Sequence, residues 1–165
     1  MKYSFYLSLS LLFLIVFSIN IKSQALGPEP NIGYKNNLDK VILKIVENQM
    51  VPVNDIEKCI PITEGNYSYY YHYTYPDKSD EKVKAFYKLD SIIYKNAELG
   101  KMNFPEKVFL MADFVDGEYA EPYFEDYIKK IAVKNKKCFC KTFSKISENK
   151  RLQLEDFFNN LCKKK

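Results

Sequence analysis

The clearest chemistry in this sequence belongs to its four cysteines, Cys59, Cys138, Cys140 and Cys162. An even number of cysteines behind an apolar N-terminal segment favours disulfides. A four-thiolate zinc site is the alternative, but structural zinc sites usually separate paired ligands by about two or more residues. Only one residue separates Cys138 from Cys140, and on a helix their thiols point about 200° apart. We therefore expect two disulfides and no metal site.

The cysteine spacing also restricts the disulfide pattern. A helical hairpin that turns near Glu148 places Cys162 within one turn of both Cys138 and Cys140. We expect Cys162 to bridge one of these two cysteines, and Cys59 to bridge the other. Cys140–Cys162 with Cys59–Cys138 is the preferred pairing, and the exchanged pairing stays open. A bridge between Cys138 and Cys140 conflicts with this geometry.

A second candidate is the tyrosine-rich stretch at residues 67–75, which contains the only histidine of the chain. Tyrosine is enriched in sugar-stacking platforms and in interface hot spots. The possible interaction surface comprises Tyr69, Tyr71, His72 and Tyr73. The alternative is that these residues pack a core, because the chain has 14 tyrosines. No cysteine or carboxylate lies at ligand spacing from His72, so no catalytic role is predicted for it.

A third candidate is an acidic turn that runs from Asp113 to Glu118. It has some likeness to a calcium loop, but it lacks the alternating oxygen ligands of an EF-hand. The sequence has no glycine-rich phosphate loop, no His-Glu-x-x-His motif and no Gly-x-Ser-x-Gly motif. We therefore assign no catalytic residue and no cofactor, and an enzyme is the less favoured interpretation.

The N-terminus predicts export. Lys2 precedes an apolar run from Phe5 to Ile19, and Ser23 and Ala25 fit the small-x-small rule for signal cleavage. An uncleaved anchor is the alternative, but a membrane span needs roughly 20 apolar residues and this run is shorter. The sequence thus predicts a signal peptide at 1–25, a linker at 26–35 and one domain at 36–165. We expect a secreted or periplasmic protein with no stable membrane insertion after cleavage.

Charge gives a weaker indication of partners. The formal net charge is +4 and falls to +2 without the two lysines of the signal peptide. This near balance, together with export, argues against a nucleic-acid partner. Residues 104–133 carry seven acids against three lysines, whereas residues 134–165 carry ten bases against three acids. Solvated helix faces explain such a distribution, and electrostatic steering of a partner is the alternative.

Helices are expected to position all of these residues. Apolar residues recur at helical spacing over Asn36–Asn48 and Ser79–Leu99, and Gly100 is suited to end the second helix. A short helical turn at 54–57 leads to Cys59. The tyrosine-rich stretch could be a strand, but no second strand is available to pair with it, so a helix is favoured. The sequence predicts an all-α fold, a helical bundle or short stack of helical hairpins with about six helices and disulfide links.

Residues 104–162 are interpreted as two consecutive helical hairpins with a faint internal repeat. Phe109 and Phe139 are thirty residues apart, and so are Ile128 and Phe158. Equivalent units would bury Ile128 and Phe158 in matching positions. Chance similarity in an aromatic-rich chain is the alternative. The expected helices are Phe104–Val115 with Tyr119–Val133, and Lys137–Ile146 with Lys150–Cys162.

These features favour a small exported helical binding or inhibitor module that acts by protein–protein contact with an unidentified protein. The alternative is an envelope enzyme or small-ligand carrier that uses the acidic turn or the tyrosine-rich stretch. A deep pocket that joins His72 to several carboxylates would favour the alternative. An exposed aromatic patch would favour the binding module.

Overall fold

The computed structural model describes residues 28–116 and 120–163, and within these ranges every regular element is helical, as predicted. The predicted signal peptide lies outside the described residues. None of the described helices is long and apolar enough to cross a membrane. The helices are α1 (Ile32–Val46), α2 (Val53–Glu57), α3 (Glu64–Tyr71), α4 (Asp80–Glu98), α5 (Phe104–Met111), α6 (residues 120–134), α7 (Lys136–Thr142) and α8 (Glu148–Phe158).

Helix α4 is the central element of the bundle, because α1, α2, α5, α6 and the turn after α3 all pack against it. Its buried side chains recur at helical spacing, and Phe86, Leu89 and Ile93 are almost completely inaccessible to solvent. Gly100 follows the helix with a φ of 67°, which is the left-handed conformation that favours glycine at this position. The prediction for Ser79–Gly100 is confirmed.

Helix α1 begins earlier than predicted, so the linker assigned to residues 26–35 is too long. Asn31 caps the helix, and its side-chain oxygen accepts hydrogen bonds from the backbone N–H groups of Gly33 (2.9 Å) and Tyr34 (3.2 Å). These bonds satisfy donors that are otherwise unpaired at a helix start. A glycine inside a helix costs only about 1 kcal/mol, so Gly33 does not prevent the first turn.

The tyrosine-rich stretch is helical, which confirms the favoured interpretation. Thr63 caps α3, and a 3₁₀ turn, His72–Thr74, continues it. Gly65 lies directly beneath the incoming chain. A β-carbon at Gly65 would lie 2.6 Å from the Pro28 carbonyl oxygen, so a side chain here would displace the N-terminal segment.

Helix α6 differs from the single regular helix predicted at Tyr119–Val133. It opens with one α-helical turn, continues as a π-helix over Tyr123–Ile128 and ends as α-helix over Lys129–Lys134. The buried Tyr123, the first residue of the π segment, donates a hydrogen bond from its hydroxyl to the Val108 carbonyl. Helical periodicity in a sequence does not distinguish a π segment from an α-helix, so this feature could not be predicted.

The predicted second hairpin is present, with α7 and a 3₁₀ turn, Phe143–Lys145, leading to α8 and a π segment, Asn159–Lys163. The expected equivalence of the two hairpins is wrong. Ile128 is buried in a π-helix, whereas Phe158 is half-buried and ends an α-helix. Phe109 and Phe139 are both buried in the core, and their ring centroids lie 5.1 Å apart.

One of the two expected disulfides is formed. Cys140 and Cys162 are bridged, with their Cα atoms 5.8 Å apart, as the preferred pairing predicted. The bridge predicted between Cys59 and Cys138 is wrong, because both are free thiols. Cys59 is buried against α1, where the Asn37 side chain lies 3.2 Å from its sulfur. The hairpin geometry located Cys162 correctly but contained no information on where α2 places Cys59.

Candidate functional site

Helix α3 and the 3₁₀ turn after it bring tyrosines to two separate carboxylates. Tyr69 and Tyr73 are four residues apart and both donate to Asp39 on α1. Tyr70 is rotated by about 100° on the helix, and it donates to Asp90 on α4 at 2.9 Å. The tyrosine-rich stretch therefore connects two helices through side-chain hydrogen bonds.

Asp39 is the centre of a closed polar network. Its Oδ1 accepts from the hydroxyls of Tyr69 and Tyr73, each at 2.6 Å. Its Oδ2 accepts from Lys35 at 2.8 Å, and the same ammonium group also lies 2.7 Å from the Tyr69 hydroxyl. Partial burial acts to raise the pKa of Asp39, but the hydrogen bonds from Lys35 and the two tyrosines outweigh it and leave the pKa below its usual value. Asp39 is therefore ionised at neutral pH.

An open groove of about 320 Å³ lies beside this network, and we call it the Asp39 groove. The His72 ring stacks on the Tyr69 ring with 5.4 Å between centroids. Burial and the nearby Lys78 lower the pKa of His72, so this side chain is neutral at pH 7. The groove is lined by Asp39, Ile42, Leu43, Tyr69, His72, Tyr73, Lys78 and Lys82.

Three of the four residues predicted as an interaction surface lie together at this groove. Tyr69 and His72 are half-buried, whereas Tyr73 is buried and serves mainly to fix Asp39. Tyr71 faces a different side of α3, where its ring lies 4.8 Å from Tyr67 and 5.8 Å from Phe86. Sequence reasoning identified the correct stretch but not which side chains share one face.

Asp90 was not identified from the sequence, although it is the most unusual carboxyl group of the described chain. It is half-buried among aromatic rings and lines a cleft of about 180 Å³. Burial raises its pKa to about 6, against the lowering effect of the Tyr70 hydrogen bond. A signal was available, because Asp90 lies four residues after Phe86 and four before Tyr94, on the apolar face of α4.

The acidic turn has a structural role that differs from the roles of Asp39 and Asp90. Asp113 accepts a hydrogen bond from the backbone N–H of Ser147 at 2.7 Å and so holds the start of α8. Asp116 is exposed, and Gly117 and Glu118 lie outside the described residues.

His72 shares its groove with one carboxylate, Asp39, rather than with several. Within 28–116 and 120–163, no group of three or more metal-ligating side chains is arranged to hold an ion.

The geometry thus presents two candidate sites, a polar groove at Asp39 and an aromatic cleft at Asp90, joined by the tyrosines of α3. In the first, the side chains are held by an ionised network. In the second, a carboxyl group lies among aromatic rings.

Comparison with known proteins shows no match to a family model, to a curated protein or to a solved structure.

Proposed function

We propose that this chain is an exported binding module that acts by protein–protein contact through the Asp39 groove. The supporting observation is the network in which Lys35, Tyr69 and Tyr73 all bond Asp39. It holds a half-exposed aromatic side chain in one orientation before any partner arrives. Such order lowers the entropic cost of association. The proposal of export depends on the apolar N-terminal run and its small-residue cleavage motif.

The composition of the groove suits a protein surface. Tyrosine is enriched among the residues that contribute most to binding energy, especially where exposed neighbours exclude water around it. Leu43 provides such a neighbour, since 52% of its surface is exposed although it is a large apolar residue. Tyr69 and His72 add a stacked pair of rings beside it. A partner that covered the groove would desolvate the leucine and both rings together.

Charge indicates which partner chemistry fits the groove. Lys78 pairs with Asp77 and Lys35 pairs with Asp39, so these charges are balanced locally. Lys82 also lines the groove, but it forms no ion pair or hydrogen bond with any described residue. The surplus positive charge fits an acidic segment of a partner protein and would increase its association rate.

Capture of partners with matched variants tests this proposal. The mature protein is immobilised and exposed to a native envelope or extracellular fraction, together with Lys82→Glu and Leu43→Glu variants. Lys88→Glu and Leu152→Glu are the controls, because both residues are exposed and lie outside the groove lining. We expect a protein with an acidic surface that binds the wild type and both controls but loses roughly tenfold or more in affinity for the groove variants.

The salt dependence of the captured complex provides a second readout. If an acidic segment occupies the groove, higher ionic strength should weaken its binding to the wild type more than its binding to Lys82→Gln, which lacks this charge. A partner that binds all variants equally would place its contact elsewhere. Failure to recover any saturable partner would contradict the proposed function.

A further inference from the structure

The cleft at Asp90 has the composition of a cation-binding site. It lies between α3, α4 and α6 and has a volume of about 180 Å³, comparable with the roughly 150 Å³ apolar cavity that can hold benzene. Aromatic rings form most of its lining, and two of them, Tyr94 and Tyr127, are stacked with 3.8 Å between centroids. The aromatic residues at the cleft are Tyr71, Phe86, Tyr87, Tyr94, Tyr123 and Tyr127.

No basic residue neutralises Asp90 in this cleft. Its Oδ1 accepts from Tyr70, and no other described residue bonds or pairs with the carboxyl group. The titratable groups that face it are all tyrosines, contributed by α3, by α4 itself and by α6. Lys95 and Lys130 line a neighbouring cleft that also contacts the Tyr94–Tyr127 pair. The ionised form of a half-buried carboxyl group without a charge partner is unfavourable, and a cationic ligand would stabilise it.

We propose that the Asp90 cleft binds a small organic cation with an alkylated ammonium group. The faces of the rings carry negative electrostatic potential and attract a cation placed within about 6 Å of a ring centroid. Asp90 then supplies the single negative charge that balances the ligand. This site is independent of the Asp39 groove and of the partner proposed for it.

Alkylation of the nitrogen follows from the mainly apolar surface that the cleft lining exposes. A primary ammonium group has three N–H donors, each of which needs an acceptor when it leaves water. The cleft offers one carboxylate, and the attraction of the ring faces has no preferred hydrogen-bond direction. A methylated ammonium group has few or no N–H donors to satisfy, and its methyl groups can contact the rings directly.

Titration with defined probes tests this proposal. Tetramethylammonium chloride, butylammonium chloride and the neutral tert-butanol are added to the mature protein, and tyrosine ring signals are followed by NMR at constant ionic strength. We expect saturable shifts at Tyr87 and Tyr127 with tetramethylammonium, weaker binding of butylammonium and roughly tenfold weaker binding of tert-butanol. Equal binding of the charged and neutral probes, or no saturable shifts, would overturn the proposal.

Variants and pH provide independent readouts. Tyr87→Leu should weaken tetramethylammonium binding, whereas Tyr75→Leu should not, because both tyrosines are 53% exposed but only Tyr87 lines the cleft. Asp90→Asn should weaken it roughly tenfold. Since burial raises the pKa of Asp90 to about 6, affinity in the wild type should fall roughly tenfold from pH 7 to pH 5. The neutral probe and the pH series test the wild type without any substitution, and affinity independent of pH contradicts the proposal.

Discussion

At the scale of single residues, two aspartates on neighbouring helices show how context decides the state of the same side chain. Asp39 accepts three hydrogen bonds, one of them from an ammonium group, and these favour its ionised form. Asp90 accepts one bond from a neutral tyrosine and lies among rings, which disfavour its charge. The three tyrosine hydroxyls that donate these bonds come from α3 and the 3₁₀ turn that continues it, so one segment supports two opposite electrostatic environments.

The first prediction concerns the cost of the charge on Asp90. Its pKa of about 6 in the folded protein exceeds the ordinary value of 3.8, so the charge destabilises the fold fully above pH 6. This cost disappears as the pH falls from about 6 towards 4 and the carboxyl group becomes protonated. Asp90→Asn should therefore raise the free energy of unfolding by on the order of 1–3 kcal/mol at pH 8 and change it little near pH 4.

Urea unfolding of wild type and Asp90→Asn at both pH values measures this effect. Asp80→Asn is the control, because Asp80 is exposed in the first turn of the same helix. The asparagine side chain can still accept the Tyr70 hydrogen bond, so packing is largely retained. Destabilisation by Asp90→Asn at pH 8 would show that the cleft is better solvated than the structure indicates.

A second prediction concerns the free thiols. Burial and the nearby Asp55 raise the pKa of Cys59 to about 12, and its sulfur also lies within a buried network with Asn37. Cys138 is only half-buried. Iodoacetamide should therefore modify Cys138 in the native protein much faster than Cys59, and non-reducing peptide mapping should find only Cys140–Cys162. A mapped Cys59–Cys138 bridge would contradict this assignment.

At the scale of elements, helices marked by local sequence signals were predicted accurately, whereas features that depend on tertiary contacts were not. Helix α4 was predictable because its apolar spacing, acidic start and Gly100 are all local signals. Helix α1 begins before the predicted Asn36 because Asn31 caps it, and Gly33 in the first turn does not prevent the helix. The π segment of α6 was not predictable, since helical spacing does not distinguish it from an α-helix, and its Tyr123 bonds Val108 on a different helix.

The candidate sites show the same difference between local sequence signals and long-range contacts. The tyrosine-rich stretch is conspicuous in composition, and a helix was favoured because no strand could pair with it. Its partners were missed because Asp39 and Asp90 look like the acids of any solvated helix face. Only the placement of α3 and the following 3₁₀ turn between α1 and α4 shows that three tyrosine hydroxyls meet these two carboxylates. That placement depends on long-range packing, which no local pattern contains.

A third prediction tests the end of α4. Gly100 has a φ of 67°, and a β-carbon there would lie 2.7 Å from the Asn135 side-chain oxygen. That asparagine donates to the carbonyls of Ala97 and Glu98 and so ties α6 to the end of α4. Gly100→Ala should lower the free energy of unfolding by about 1–3 kcal/mol through backbone strain and loss of these bonds.

Thermal or urea unfolding measures this change, with Lys101→Ala as the control at the adjacent exposed position. The double variant Gly100→Ala with Asn135→Ala separates the two causes. If the clash dominates, the second substitution should add little to the first. A Gly100→Ala variant as stable as the wild type would show that the left-handed turn is not required here.

At the scale of the whole molecule, the uneven charge of the sequence is partly neutralised inside the fold. Lys145 of the basic C-terminal part pairs with Glu106 at 2.6 Å, and Lys134 pairs with Glu98 at 2.5 Å. In each pair the lysine is exposed and the glutamate is half-buried, so each pair contributes about 0–1 kcal/mol. The opposite charges therefore help to orient neighbouring helices and reduce the bipolar surface that composition alone suggested.

The central claim of this account is that tyrosines of α3 and the turn after it bond two carboxyl groups whose pKa values are shifted in opposite directions, one ordering a groove and one lining an aromatic cleft. A carboxyl ¹³C NMR titration of the aspartate-labelled mature protein measures both pKa values at once. The account predicts that Asp39 titrates below 3.8 and Asp90 near 6. Midpoints near 3.8 for both residues would contradict it, because neither the tyrosine network nor the burial of Asp90 would then exist in solution.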